Sequence, residues 1–204
     1  MKHPIIIDMK HDRFLPDVQR LTESFGGQHP EPIVKHAFIA VSGLPGTGKS
    51  YLCNKLAEKV PFIILESDAL RKTLFPSPTY STQESSHLFQ ACHLLIERML
   101  KKGISVVLDA TNLSERYRKY LYSIADRLNA KLILVRVEAP PQVVQERLMS
   151  RRNGADSEGK SDADWTVYRG MKPTVQTIRR KHYIVDISRD ITTALNKIVK
   201  EIRR

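Results

Sequence analysis

The sequence predicts an α/β fold in which helices cover both faces of a parallel sheet. From Ala37 onward, apolar strand patterns alternate with helical patterns along the chain. Residues 61–65 form a continuous apolar run, which is typical of a parallel strand buried on both faces. The chain has 204 residues, enough for one domain of this kind. Alternating strands and helices therefore indicate a parallel sheet wrapped on both sides.

The individual elements follow from apolar periodicity and from residues that begin or end helices. Pro141 suits the first turn of a helix, and Gly103 ends a helical pattern as a C-cap. Apolar residues at helical spacing mark the segment before that glycine. The predicted strands are 37–42, 61–65, 104–108, 131–137 and 182–187, and the predicted helices are 51–60, 83–102, 113–129, one from 140, and 191–203.

Residues 1–36 differ from the rest of the chain. They contain four prolines and a glycine pair with little periodicity. The sequence therefore predicts an N-terminal extension over 1–36, with one short helix near 17–24, ahead of a domain over 37–204.

The composition excludes several classes of protein. No apolar run approaches the roughly 18 residues of a membrane span, and the first residues lack a signal peptide's apolar core. Two scattered cysteines, Cys53 and Cys92, indicate reduced core residues, and the seven histidines show no metal-ligand spacing. We expect a cytoplasmic protein.

The net charge of +11 is unevenly distributed. Residues 1–100 hold 11 basic and 10 acidic side chains, whereas residues 101–204 hold 22 and 12. This asymmetry fits an anionic partner on the C-terminal half, or, more plainly, phosphate-handling arginines and a basic tail.

A glycine-rich loop follows the first strand and precedes a helix. It has the pattern G-x-x-x-x-G-K-S, and its backbone N–H groups and the helix dipole would surround phosphates. Lys49 would reach the β and γ phosphates, and Ser50 would hold Mg²⁺. The sequence thus predicts a site for a nucleoside triphosphate formed by Gly43, Leu44, Pro45, Gly46, Thr47, Gly48, Lys49 and Ser50.

Asp109 ends a later apolar strand, where a second acidic residue supports Mg²⁺ in phosphate-binding-loop enzymes. Ala110 follows it, in place of the glutamate that activates water in many ATP-driven machines. A pure ATPase is therefore disfavoured, and no guanine-reading Asn-Lys-x-Asp motif is present.

Asp68 follows the second strand, and ligands of open parallel sheets bind beyond the carboxyl ends of strands. This carboxylate could accept the proton of an attacking hydroxyl. Arg71, one turn later, could bind a phosphate or carboxylate of the acceptor. The alternative is that Ser67 or Asp68 only caps the following helix.

Thr111 and Asn112 follow the third strand and would border the same crevice, where they could contact the acceptor. Alternatively, Asn112 and Glu115 form a capping box. Arg116 and Arg118 fit solvated helix charges, and Arg116, nearer the helix start, is the better candidate for a substrate contact.

Arg147 and Arg151 share a helix face ahead of a polar segment with two glycines. A lid at about 151–163 could close over the triphosphate and bring Arg151 to the transferring phosphoryl group. An arginine in such a role can supply about 10³–10⁵ in rate. The alternative is a solvated surface helix and loop.

Together, the glycine-rich loop, residues 67–71, residues 109–112 and the arginines of 147–152 resemble a family of phosphate-binding-loop kinases. Its members include polynucleotide 5′-hydroxyl kinase, zeta toxin and gluconate-kinase-like enzymes. The resemblance covers about residues 37–190. It implies a five-stranded parallel sheet with a lid, as in nucleoside-monophosphate kinases, with ATP as donor, Asp68 as base, Arg71 near the acceptor and lid arginines at the phosphates.

We therefore expect an ATP- and Mg²⁺-dependent phosphotransferase acting on a hydroxyl. The acceptor is either a 5′-hydroxyl of nucleic acid or a small molecule; the basic C-terminal half favours the former slightly. Trp165 and Tyr168 are the only hint of an aromatic platform for single strands, and packing explains them better. The alternative function is an ATP-gated switch or weak ATPase that phosphorylates no organic acceptor.

Overall fold

The computed structural model describes residues 13–26, 36–152 and 163–204. Its centre is one sheet of five parallel strands in the order β2-β3-β1-β4-β5. The predicted parallel sheet is confirmed, including the number of strands. The strands are β1 (Ala37–Ser42), β2 (Ile63–Glu66), β3 (Val106–Asp109), β4 (Lys131–Glu138) and β5 (His182–Asp186).

Helices follow the strands along the chain. A short 3₁₀ turn, Lys172–Thr174, lies between the last two helices. In the part of the chain that the structure describes, no helix is both long and apolar enough to cross a membrane. The helices are α1 (Leu15–Glu23), α2 (Lys49–Ala57), α3 (Ser67–Leu74), α4 (Thr82–Lys101), α5 (Glu115–Arg127), α6 (Pro141–Arg152), α7 (Trp165–Met171) and α8 (Thr192–Arg203).

The two faces of the sheet carry separate hydrophobic layers. In β1, Phe38 and Ala40 face the layer that contains α4 and α5, while Ile39 and Val41 face the layer that contains α2 and α8. This alternation is the period of two expected of a strand whose faces are both covered. The helices therefore hold the sheet from both sides and leave its carboxyl edge for a site.

Helix α1 packs into the domain although it lies in the segment predicted to be an extension. Phe14, Val18 and Leu21 are buried in the same layer as α4, and Asp17 lies 2.8 Å from the ring of His87. This part of 1–36 thus belongs to the core. The rest of that segment, apart from its last residue, lies outside the described residues.

The strand register aligns the carboxyl ends of three strands. Asp109, the last residue of β3, pairs with Val41 on one side and with Glu66 on the other. The loop after β1 and the start of α3 after β2 therefore flank Asp109 at one edge of the sheet. This is the edge where open parallel sheets bind ligands.

Candidate active site

The glycine-rich loop joins β1 directly to α2. Gly46 and Gly48 have φ of +77° and +94°, and Gly48 is the N-cap of α2. Glycine adopts this left-handed conformation without the steric cost that a Cβ brings. The loop therefore presents backbone N–H groups at a helix N-terminus, which is an arrangement that binds anions.

Lys49 is the first residue of α2, and its amine donates a hydrogen bond to the Leu44 carbonyl oxygen at 3.1 Å. Burial lowers the pKa of Lys49, whereas the charges of Asp109 and Asp68 raise it. Both carboxylates line the same cleft as the lysine. The lysine sits between the loop and these acidic groups.

Ser50 and Asp109 form the second polar pair of the site. The Ser50 hydroxyl donates to Asp109 Oδ2 at 2.6 Å. Burial raises the pKa of Asp109, and Lys49 and the Ser50 hydrogen bond oppose that shift. A hydroxyl and a buried carboxylate beside a phosphate loop are the oxygen donors that suit Mg²⁺, so these residues fit the ion.

Asp68 lies in the first turn of α3 and lines the same cleft as Lys49, Ser50 and Asp109. The N-cap of α3 is Glu66, so neither Ser67 nor Asp68 is the cap residue. The capping alternative is therefore wrong, and the Asp68 carboxylate shares the cleft with the phosphate loop.

Arg71 also lines the cleft, but it is buried and its guanidinium is already engaged. Nη1 is ion-paired with Glu84, and Nη2 donates to Ser85 Oγ at 3.2 Å. Glu84 thus balances the charge of Arg71, and a contact between Arg71 and a phosphate or carboxylate of the acceptor stays a prediction. Nothing in the sequence near Arg71 indicated that its partner would be Glu84, 13 residues further along the chain.

The residues after β3 separate into different roles. Thr111 lines the cleft, whereas Asn112 is buried and donates from Nδ2 to the Val41 carbonyl oxygen at 2.6 Å. The N-cap of α5 is Ser114, so the predicted capping box is wrong, and Asn112 instead ties β3 to β1. Arg116 is exposed and lies outside the cleft lining.

The prediction of a solvated charge at Arg118 is wrong. Its side chain is 1% exposed, pairs with Glu115, and donates to the carbonyl oxygens of Gln176 and Thr177 at 2.7 and 3.0 Å. Arg118 therefore fastens the segment before β5 to α5, a role that depends on residues about 60 positions away.

Arg147 and Arg151 of α6 both line the cleft. Nη2 of Arg147 donates to the Ile187 carbonyl oxygen at 3.5 Å, and the positive charge of Arg151 contributes to lowering the pKa of Lys49. Both arginines thus stand beside the phosphate loop. Residues 153–162, which make up most of the predicted lid, lie outside the described residues.

The cleft also has an apolar wall that the sequence did not reveal. The cleft has a volume of about 1090 Å³. Its apolar wall is formed by Ile187, Ile191 and Leu195, beside the phosphate loop. Ile187 and Ile191 lie in the connection between β5 and α8, and Leu195 lies on α8. Their apolar spacing is indistinguishable in sequence from that of core residues, so only the fold brings them to the cleft.

Trp165 and Tyr168 stack on each other with ring centroids 4.7 Å apart. Tyr168 is buried against Val144 and Leu148 of α6, with Trp165 packed beside them. The prediction that these aromatic residues serve packing is confirmed.

A protein-family model described as an AAA domain matches residues 38–178, more than half of the chain. The chain belongs to this family. Among curated proteins it is similar to the L-seryl-tRNA(Sec) kinase of Methanococcus maripaludis, with 27% identity over 173 residues. The match covers 80% of this chain and 64% of that protein, so the chain spans just under two thirds of its relative.

Solved structures of kinases share the fold. The APS kinase of Mycobacterium tuberculosis, solved with AMPPNP and APS, matches with a TM-score of 0.62 and 15% identity over 83% of this chain and 99% of that one. A gluconokinase of Sinorhizobium meliloti matches with a TM-score of 0.54 and 23% identity over 82% and 90%. The resemblance to phosphate-binding-loop kinases and their fold is confirmed.

Proposed function

We propose that the protein is an ATP-dependent phosphotransferase that moves the γ-phosphoryl group to a hydroxyl acceptor. One observation carries the proposal: Lys49, the Ser50–Asp109 pair and Asp68 line a single cleft at the carboxyl edge of the sheet. A phosphate-binding loop alone would fit many functions. The Asp68 carboxylate in the same cleft is what favours transfer to an alcohol.

The phosphate side of the site stabilises charge. The loop amides and Lys49 would hold the β and γ phosphates, and Arg147 and Arg151 would add positive charge from α6. Ser50 and Asp109 would hold Mg²⁺, which when bound neutralises charge on the phosphate oxygens.

Asp68 would act on the acceptor. Its carboxylate accepts the hydroxyl proton as the acceptor oxygen forms a bond to the γ-phosphorus. The bond between the γ-phosphorus and the β,γ-bridging oxygen breaks, and ADP leaves with that oxygen. The products are ADP and a phosphate monoester.

The names of the relatives narrow the class of acceptor but do not identify the acceptor. One relative is named as a kinase of a seryl-tRNA, and two structural neighbours are named as kinases of APS and of gluconate. A small molecule and an acceptor that is part of a nucleic acid therefore both stay within the proposal.

A transfer assay tests the proposal. The protein is incubated with ATP labelled on its γ-phosphate, Mg²⁺, and a panel of nucleosides, oligonucleotides, sugars and sugar acids. We expect one labelled phosphate ester, and we expect Lys49→Ala to lose it. Slow release of labelled phosphate with every acceptor unmodified would contradict the proposal and support the ATP-gated switch.

A further inference from the structure

The end of the cleft beyond Asp68 has an aromatic lining. Tyr80, in the connection between α3 and α4, and Phe89 of α4 both line the cleft together with Arg71 and Ser85. Tyr80 is 47% exposed, so a bound group can reach it. Ser85 and Phe89 are four residues apart on one helix face, which places the phenyl ring next to the serine that binds Arg71.

The polar partners of this region already neutralise each other. Nη1 of Arg71 is paired with buried Glu84, Nη2 with Ser85, and the guanidinium carbon lies 4.9 Å from the centre of the Tyr80 ring. Nε of Arg71 is buried and has no hydrogen-bond partner among the described residues. The guanidinium therefore contacts the Tyr80 ring, and Glu84 balances its charge.

Tyr80 is held in an unfavourable backbone conformation. Its φ is +55°, which is a genuine outlier for a bulky side chain. Glu84 maintains the turn: it accepts hydrogen bonds from the backbone N–H of Thr79 at 2.6 Å and of Tyr80 at 3.3 Å. Strain of this kind persists where the surroundings enforce it and is concentrated at ligand sites.

We infer that Tyr80 and Phe89 form the acceptor subsite and that this subsite binds an uncharged planar ring of the nucleobase type. The hydroxyl that is phosphorylated then belongs to a nucleoside or to the terminal nucleoside of an RNA. The inference rests on the proposed function and adds the substrate class. Stacking on a tyrosine ring suits every base, because each base has a π-face. A sugar acid would need a cation without an acidic partner here, whereas Arg71 is ion-paired with Glu84.

A binding measurement tests the subsite independently of transfer. Adenosine, guanosine, cytidine, uridine and gluconate are titrated into protein loaded with Mg²⁺ and AMPPNP, and binding is followed by saturation-transfer NMR. A short oligonucleotide with a free 5′-hydroxyl distinguishes a terminal nucleoside from a free one. We expect at least one nucleoside or the oligonucleotide to bind, and gluconate not to bind.

Three substitutions make the test specific. Tyr80→Ala should weaken nucleoside or oligonucleotide binding by about tenfold or more, because stacking on one ring is lost. Tyr80→Phe should retain binding. Tyr117→Ala removes a tyrosine of similar exposure on α5, outside the cleft lining, and should change nothing.

Tyr80→Gly separates a ligand role from a structural one. Glycine adopts positive φ without strain, so the melting temperature should not fall, while binding should be lost as in Tyr80→Ala. Nucleoside binding unaffected by Tyr80→Ala, or binding of gluconate alone, would overturn the subsite. Phosphorylation of gluconate would also overturn it while leaving the kinase function intact, whereas Tyr80-dependent nucleoside binding without any transfer would overturn only the kinase function.

Discussion

At the scale of single residues, the phosphate loop depends on packing contacts that cannot be predicted from its sequence motif. A Cβ at position 43 would lie 2.6 Å from the Val137 carbonyl oxygen of β4, closer than carbon atoms of this kind approach a backbone oxygen. At position 170, by contrast, a Cβ would have no neighbour within 4 Å among the described residues. The first glycine of the loop is thus required by packing against a neighbouring strand.

We predict that Gly43→Ala destabilises the protein by about 1–3 kcal/mol, because either the loop or β4 must shift. The same shift should weaken ATP binding, since the loop amides move with it. Urea unfolding and ATP titration measure the two effects. Gly170→Ala is the control: ATP affinity should not change and stability should not fall, because alanine favours a helix such as α7 more than glycine does. Equal losses of stability and ATP affinity in the two variants would show that the contact is unimportant.

At the scale of elements, Glu84 is the residue that fixes the connection between α3 and α4. Its carboxylate accepts from Arg71 and from both the N–H and the hydroxyl of Thr79, while its own N–H bonds to the Ser81 hydroxyl at the start of α4. Burial raises the pKa of Glu84, but the hydrogen bonds from Thr79 and Arg71 lower it from 4.5 to about 2. The ionised form is therefore favoured by folding.

This shift predicts a pH dependence of stability. Because the pKa is lower in the folded state, the contribution of Glu84 is complete above pH 4.5 and is lost as the pH falls toward about 2. Glu84→Gln should be less stable at pH 7, and the difference from the wild type should shrink between pH 5 and pH 2.5. Unfolding curves across this range measure it; a difference independent of pH would contradict the assignment.

The sequence also did not predict where helix α1 packs in the domain. Leu21 is fully buried against the layer of α4, whereas Leu15 at the other end of the helix is 53% exposed. The apolar residues of so short a helix predict amphipathicity but not the surface that it covers.

We expect Leu21→Ala to lower the free energy of unfolding by about 2–5 kcal/mol, since it leaves a cavity in the core. Leu15→Ala should change it by less than about 0.5 kcal/mol, as is usual for exposed positions. Denaturant unfolding compares the two variants. Similar small effects in both would show that α1 is not part of the cooperative core.

At the scale of the whole molecule, the predictions that hold are those whose cause is local. The phosphate loop, the alternation of strands and helices and the polar residues at strand ends follow from neighbouring residues. The interactions that the sequence did not predict involve distant partners: Glu84 pairs with Arg71, the Val41 carbonyl oxygen accepts from Asn112, and the carbonyl oxygens of Gln176 and Thr177 accept from Arg118. Periodicity cannot reveal such pairs, because they form only when the chain folds.

Some arginines of the C-terminal half are paired across elements, as in Arg127 with Glu97 and Arg180 with Asp126. These pairs show how the arginines are held, but they leave the excess of positive charge in this half unchanged, because Asp126 is already counted in it.

The central claim is that ATP binds to the phosphate loop of one cleft while Asp68, in the same cleft, accepts the proton of the acceptor hydroxyl. Its most direct test compares wild type with Asp68→Asn in transfer of labelled γ-phosphate to the panel of acceptors, with ATP affinity measured in parallel. We predict that the variant keeps its ATP affinity and loses about 10²–10⁴-fold in transfer rate, the usual contribution of a general base. Transfer at the wild-type rate by Asp68→Asn would contradict the account.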